Sequence, residues 1–500
     1  MVLLVLSVTL TTALTDPGSP PESAVAASRP NIVLITTDDM RASELRWMPE
    51  TRRLLKESGV VVRGFISNHP LCCPARAEIL TGQYGQNSGV RHNDGPYGGY
   101  DDLVEPGNHI GAWLKASRYR TAFVGKHMNG WRVSGRRQAG WTVFDPILQG
   151  LYRPYGLRMY NNGRPRTYKG IYTADLMGRL SVRYINRFSA SDSPFFIWTS
   201  QVPPHHMFAK DRRVPPFPAR RHRDLYPTSR PPSLSHPAFN EADVSDKPRW
   251  VRRSAKVTRR TLVTWHRARI RSLRSVDDQV KAIVTALRVN GELENTYIFF
   301  TSDNGYLLGE HRQLRKNKPY EPTLRVPLLV RGPGLPAGTV RKATYGLVDL
   351  APTFLELSGV EAGRRIDGRS MLATLAAGAA GYRYYLIQGG TPSGAWWWRG
   401  VRSRKWVYVR YRNGFEELYD RVADPGQLRN VAGKDRYRTV RADMARRLAN
   451  LSVCAGETCQ DGEQLSSTGA GDAADAGLVG RVGLEPTTQG VLRTLIPTCH

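Results

Sequence analysis

The stretch that decides the fold is Asn31-Ile32-Val33-Leu34-Ile35-Thr36-Thr37, followed at once by Asp38-Asp39. It is apolar and β-branched without alternation, which marks a strand buried on both faces. Runs of the same texture recur at 121–124, 194–199, 296–301 and 326–330, with helix-like stretches at 76–81, 110–117 and 261–289. Strands alternating with helices over this length predict an α/β sandwich around a mostly parallel central sheet. Residues 212–253, rich in Pro, Arg and His, read as a long surface insertion. After about residue 376 the segments 382–387, 396–401, 405–411 and 416–419 are short, aromatic or β-branched, and separated by Gly/Asn turns. They predict a small antiparallel sheet, followed by a helix near 437–451.

The organisation expected is therefore a leader and linker at 1–28, a main α/β domain at 29–375, a C-terminal α+β subdomain at 376–460, and a disordered tail at 461–500. Residues 2–14 are apolar and Ala24-Val25-Ala26 has a small-x-small pattern, so the start resembles an export signal without its basic n-region. The expected location is secreted or cell-envelope, and otherwise cytoplasmic. No other apolar run approaches the ~20 residues that span a bilayer.

The 500 residues carry 72 Lys and Arg against 43 Asp and Glu, a net charge of +29. Such a field attracts anions, whether acidic polysaccharide, sulfate or phosphate esters, or nucleic acid. No zinc-finger spacing, RNA-binding aromatic signature or heptad-backed basic region accompanies it, so no specific nucleic-acid partner is expected. Hydrophobic residues make up 40% of the chain, which excludes a disordered or fibrous protein. Five cysteines are too few for a disulfide scaffold. Cys454 and Cys459 could form a small loop disulfide in an exported protein, Cys499 lies in the tail, and the neighbours Cys72 and Cys73 call for a chemical explanation.

Several predicted strands end in polar residues: Asp38-Asp39, Gly125-Lys126, and Ser302-Asp303-Asn304-Gly305. In open α/β sheets the ligand crevice lies beyond the carboxyl ends of the strands. Asp38, Asp39, Asp303 and Asn304 could therefore share one hard cation, Ca²⁺ or Mg²⁺. Taken alone, either pair would more often be a helix cap or a solvated turn.

Leu71-Cys72-Cys73-Pro74-Ala75-Arg76, continued by Ala77-Glu78-Ile79-Leu80-Thr81-Gly82, resembles the signature of the sulfatase family, C-x-P-[S/A]-R followed by L-T-G. Cys72, Pro74, Ala75 and Arg76 match it. The likeness runs from Arg29 to about Ala432, through SDNGYLLGEH at 302–311, KNKPYEPTLRVPLLVRGPG at 316–334, DGRS at 367–370 and ELYD at 417–420. The Cys-Cys-Pro start and GYLLGEH resemble glucosamine-6-sulfatase-like and bacterial arylsulfatase members.

The resemblance implies an alkaline-phosphatase-like fold and hydrolysis of a sulfated sugar or aryl sulfate. It implies that Cys72 is oxidised to formylglycine (3-oxoalanine) by a formylglycine-generating enzyme. One hydroxyl of the hydrated aldehyde would attack sulfur and expel the alcohol. The second would then collapse the sulfate hemiester to aldehyde and inorganic sulfate, two easier steps in place of one. A cation, Ca²⁺ or else Mg²⁺, held by Asp38, Asp39, Asp303, Asn304 and the modified Cys72, would polarise the sulfate. Arg76 would orient the hydrate, Lys126 and Lys316 would contact the sulfate, and His205 would protonate the leaving group.

The chain departs from the family pattern in two places. Gly125-Lys126-His127-Met128-Asn129 lacks the usual histidine two places after the lysine, and His127 would face away from Lys126 in a continuing strand, leaving Asn129 as a substitute. Pro203-Pro204-His205-His206-Met207 stands where P-H-x-P is common, with His206 as fallback. Lys318 is the fallback for Lys316. Asp277 and Asp278 read as structural or surface residues. His311 could line a substrate pocket, His92, Asn93 and Asp94 could set selectivity, and the tryptophans at 396–398 could stack on a sugar or pack in the core. The rival functions are a phosphonate or phosphodiester hydrolase of the same superfamily and a non-catalytic binder of sulfated polysaccharide.

Overall fold

The computed structural model describes residues 29–460 except 134–137, 161–162, 210–211, 380 and 382. The export-like start at 1–28 and the tail at 461–500, Cys499 included, lie outside the described residues.

Strand β1 (Asn31–Thr37) is buried at every position and runs parallel to a neighbour on each side. Its side chains divide between two cores: Ile32 and Leu34 join one cluster, Val33 and Ile35 the other. Both faces of the strand are therefore covered, which is why its sequence does not alternate. Burying each of these aliphatic side chains contributes about 2 kcal/mol.

The remaining strands of the sheet are β2 (Val60–Ile66), β3 (Arg120–Gly125), β4 (Val143–Gln149), β5 (Tyr155–Met159), β6 (Arg166–Tyr172), β7 (Phe195–Ser200), β8 (Thr296–Ser302), β9 (Leu328–Arg331) and β10 (Thr339–Gly346). The ten-stranded order is β10-β2-β9-β8-β1-β7-β3-β4-β5-β6. All but β9 and β5 run the same way. This is the expected mixed, mostly parallel sheet, with its strand ends gathered on one edge.

Helices α1 (Cys72–Thr81), α2 (Ile110–Ala116) and α5 (Leu350–Ser358) cover one face, and α3 (Thr173–Phe188) and the long α4 (Arg259–Val289) cover the other. A separate four-stranded antiparallel sheet, β11 (Tyr384–Gly390), β12 (Trp396–Ser403), β13 (Trp406–Tyr411) and β14 (Glu416–Asp420), precedes helix α6 (Arg438–Leu451). Tyr408 and Val409 of that sheet belong to the same apolar cluster as Ile32 and Leu34.

The segment 212–253 is mostly exposed or half-buried, like a surface insertion, but it is pinned to the body at a few points. Ala238 and Val251 are buried, and so is the ion pair of Lys247 Nζ with Glu241 Oε1 at 3.1 Å. Its basic and prolyl composition hides anchors that are few and widely spaced.

Candidate active site

Four strand ends converge on Cys72. Helix α1 begins at this residue after Leu71, whose extended backbone supplies no side-chain cap. The sulfur thus sits at the positive end of a buried ten-residue helix. Cys72 Sγ donates to Asp38 Oδ1 across 3.4 Å and receives Lys316 Nζ at 2.6 Å and Lys126 Nζ at 3.2 Å. Lys126 also pairs with Asp38 Oδ2, and Lys316 with Asp39 Oδ1.

Gly125 turns the chain so that Lys126 enters this cluster. It adopts a φ of 113°, and a Cβ there would lie 2.0 Å from the Ser200 carbonyl oxygen, so only glycine fits. Asp39 is itself left-handed, with a φ of 71°, and Asp303 Oδ1 accepts its N–H at 3.2 Å. Arg76, one turn along α1, is 1% exposed. Its guanidinium donates to Asp303 Oδ2 at 2.9 Å, the Lys126 carbonyl at 2.7 Å and Ser200 Oγ at 2.6 Å.

Charge is balanced locally. Burial pushes Asp38 up, but Lys126, His205, Lys316 and Arg76 together outweigh it and hold this carboxyl well below its usual range. Burial and Asp38 raise Asp303 to about 6 against the pull of Arg76. Burial, reinforced by Asp38, lifts the Cys72 thiol to about 11 despite the two lysines. The unmodified residue is a thiol near neutral pH and a poor nucleophile.

His205 has its Nδ1 2.7 Å from the His206 carbonyl, which can only accept, so Nδ1 carries the proton. Its Nε2 faces Asp39 Oδ2 at 3.7 Å. Burial lowers this imidazole to about 4 even against the attraction of Asp38 and Asp39. The contact with Asp39 is therefore not an ion pair near neutral pH, and Nε2 is open to take a proton. The half-buried Tyr152 ring stacks on His205 at 4.5 Å and lies under Lys126 Nζ at 5.6 Å.

Ligand atoms of Asp38, Asp39, Cys72 and His205 lie within 4.8 Å of one another. Asp39 Oδ2 and Asn304 Oδ1 are buried and accept no hydrogen bond among the described residues. Unsatisfied buried oxygens beside three carboxylates fit a hard divalent cation.

The Sulfatase family model matches residues 30–360. The chain belongs to the sulfatase family. A second model, N-sulphoglucosamine sulphohydrolase C-terminal, matches residues 309–453. The arylsulfatase of Volvox carteri is 32% identical over 87% of this chain and 76% of its own length. The N-acetylglucosamine-6-sulfatase of Capra hircus is 29% identical over 88% of this chain and 86% of its own. A protein solved in complex with its substrate D-glucosamine-2-N,6-O-disulfate superposes with a TM-score of 0.71 at 21% identity, covering 88% of this chain and 100% of its own. The fold is alkaline-phosphatase-like, and the family hydrolyses sulfuric esters.

In this sulfatase, Asp38, Asp39, Cys72, Arg76, Lys126, His205, Asp303, Asn304 and Lys316 form one connected cluster. The alternates stand elsewhere. His127 is packed among Tyr100, Phe123 and Phe144, and burial lowers it to about 3. Asn129 gives its N–H to Cys73 Sγ at 3.2 Å and its side chain to Asp94, away from Cys72. Lys318 lies 5.3 Å from the Trp250 ring centroid and 5.9 Å from that of Trp397, lowered to about 8 by burial and Arg315. His206 stacks on His205 at 4.0 Å, and it is His205 whose Nε2 faces Asp39.

His311 is buried with its Nδ1 2.7 Å from Glu241 Oε2, which ties it to the 212–253 segment rather than to a pocket. Asp277 accepts the backbone N–H groups of Glu50 and Thr51, and Asp278 pairs with Arg221 and His222. Asn93 Oδ1 accepts the Cys73 N–H at 2.9 Å, at the start of α1. Trp398 is fully buried, whereas Trp396 and Trp397 are half-buried. Cys73 joins the apolar core, and Cys454–Cys459 form a disulfide.

Sequence reasoning missed Ser200 and Tyr152. Ser200 ends a buried strand, the same signal that marked Asp38 and Asp303. Tyr152 lies in a connection without any pattern to single it out.

Proposed function

We propose that this sulfatase hydrolyses sulfate esters of sugars or aryl alcohols through Cys72 after its conversion to formylglycine, with a divalent cation, Ca²⁺ or else Mg²⁺, held by Asp38, Asp39, Asp303 and Asn304. The observation that carries this reading is the placement of Cys72 Sγ between two lysine ammonium groups and the Asp38 carboxylate at a helix N-terminus. Once installed, the hydrated aldehyde would supply a hydroxyl nucleophile and the cation a Lewis acid.

The chain's own residues do the rest. Lys126 and Lys316 meet the charge spreading onto the sulfate oxygens. Arg76, fixed by three partners, holds Asp303 and the loop carrying Lys126 in place. His205 donates from Nε2 to the leaving oxygen once an incoming anion has raised its proton affinity. Tyr152 stacks on His205 beside Lys126 and fixes the plane of that imidazole.

Maturation calls for a formylglycine-generating enzyme as partner. The Cys454–Cys459 bridge supports an oxidising, extracytoplasmic location. No helix among the described residues is long and apolar enough to cross a membrane.

The test is turnover of matched aryl sulfate and aryl phosphonate substrates after production alongside the converting enzyme. Release of inorganic sulfate, with the phosphonate turned over at least about tenfold more slowly, is expected; one such factor corresponds to 1.4 kcal/mol in the barrier. Preference for the phosphonate would replace the reading with the rival hydrolase. Absence of turnover with tight, salt-sensitive binding of sulfated polymer would make the chain a binder.

A further inference from the structure

The antiparallel end of the large sheet, β4 to β6, carries a cleft of about 580 Å³, lined by Gln149, Arg153, Arg158 and Thr167 with Gly150, Gly156 and Pro165. Gln149 lies opposite Arg158, and Arg158 opposite Thr167, so these three side chains form a row across β4, β5 and β6. The register slips between Ile147 and Gln149 and again between Tyr155 and Leu157, where Gly156 takes a φ of 80°. Bulges bend the strands they interrupt, and Gln149 and Gly156 at these two irregularities both line the cleft.

The lining holds no acidic residue, and neither arginine has an ion-pair partner among the described residues. Arg153, in the cleft wall, directly follows Tyr152, whose ring stacks on His205, so one chain segment links the cleft to the reacting centre. Among the described residues Arg213, on the hairpin that follows His206, likewise pairs with no acidic side chain. Its guanidinium lies 5.9 Å from the ring centroid of Phe208, and Phe208 packs on Tyr152.

The geometry points to an oxyanion subsite in this cleft, with Arg153 and Arg158 binding a second sulfate or a carboxylate on a sugar next to the one being desulfated. The substrate class is then an acidic oligosaccharide. This deepens the sulfatase reading and rests on it. Two guanidinium groups in a row suit planar carboxylate and tetrahedral sulfate alike, because each offers paired N–H donors. An aryl sulfate is too small to fill both the reacting centre and the cleft.

The experiment compares the chain with its Arg153→Gln/Arg158→Gln variant, and with Arg404→Gln/Lys434→Gln, which removes the same charge from exposed positions of the C-terminal region. The readout is the ratio of kcat/KM for a sulfated tetrasaccharide to that for an aryl sulfate. Loss of two charged hydrogen-bonding groups lowers this ratio about tenfold or more through KM, with kcat little altered. The control pair leaves the ratio within about twofold, as expected for exposed charges in salt. Tetrasaccharides bearing only a neighbouring uronate, only a neighbouring second sulfate, or neither, tell the two anions apart, and the one that carries the scissile sulfate alone behaves as a monosaccharide.

Calorimetric binding of a heparin tetrasaccharide to the Cys72→Ala chain gives a readout independent of turnover, and the cleft variant should weaken it by a similar factor. Equal losses in both double variants would reduce the effect to overall charge and overturn the subsite, as would unaltered binding in the cleft variant. Absence of aryl sulfate turnover in the unsubstituted chain would instead count against the sulfatase reading itself.

Discussion

Replacing Arg76 by alanine tests how the site is held together. The guanidinium is buried and donates to Asp303 Oδ2, the Lys126 carbonyl and Ser200 Oγ. Its loss leaves the Asp303 carboxylate in a buried site with its principal cation removed, while the Lys126 carbonyl keeps the Ser200 hydroxyl as its donor at 2.7 Å. Breaking one side of a buried pair costs about 3–5 kcal/mol, mostly as the penalty on the stranded charge. Asp303 is already raised to about 6 with Arg76 present, so part of this penalty is relieved by protonation.

A net loss of about 3 kcal/mol is therefore expected at neutral pH. Urea unfolding followed by circular dichroism measures it, with chelator present throughout so that metal binding does not enter. Adding Asp303→Asn removes the stranded charge and should recover at least about 1 kcal/mol of the loss. A loss below about 1 kcal/mol for Arg76→Ala, or no recovery in the double variant, would refute the reasoning.

Three further outcomes follow from particular residues. Gly125→Ala would force a Cβ to 2.0 Å from the Ser200 carbonyl in a left-handed backbone, so the melting temperature should drop sharply; a shift within error would contradict it. Burial holds Asp349 up at about 6 against its hydrogen bonds from Gly346 and Arg369 and the Tyr385 hydroxyl, above its unfolded value near 3.9. The folded state thus binds the extra proton, and this stabilising term is full below pH 4 and lost as pH rises to 6. The stability of Asp349→Asn relative to the parent should climb by roughly 1.4 kcal/mol per pH unit over that window and level off above it, whereas a pH-independent difference would exclude the linkage. Chelator should lower both turnover and melting temperature, with Ca²⁺ restoring them; full activity after exhaustive chelation would remove the cation from the account.

The central fold was readable because β1 has no polar interruption: both its faces are covered, and its sequence records that. Strands β2, β4, β5, β6 and β10 were not legible. They carry Arg63, Gln149, Arg158, Lys169 and Arg341 at positions where one face or an end meets solvent, and such strands need no apolar run. The site was readable where a polar residue ends a buried strand or sits in the cysteine signature. It was not readable at Tyr152, which reaches His205 from an unpatterned loop, nor at Glu241, whose burial depends on Lys247 and His311. Choosing between Lys316 and Lys318, two places apart, needed the three-dimensional path: one ammonium enters the acidic cluster, and the other lies against two tryptophans.

The most direct measurement is the mass of the peptide containing Cys72, taken from enzyme that is turning over an aryl sulfate. The account predicts a species in which the thiol has been exchanged for a carbonyl oxygen, in a fraction that rises in proportion to turnover across preparations with more or less converting enzyme. Undiminished turnover from preparations in which every Cys72 peptide retains its thiol mass would contradict it.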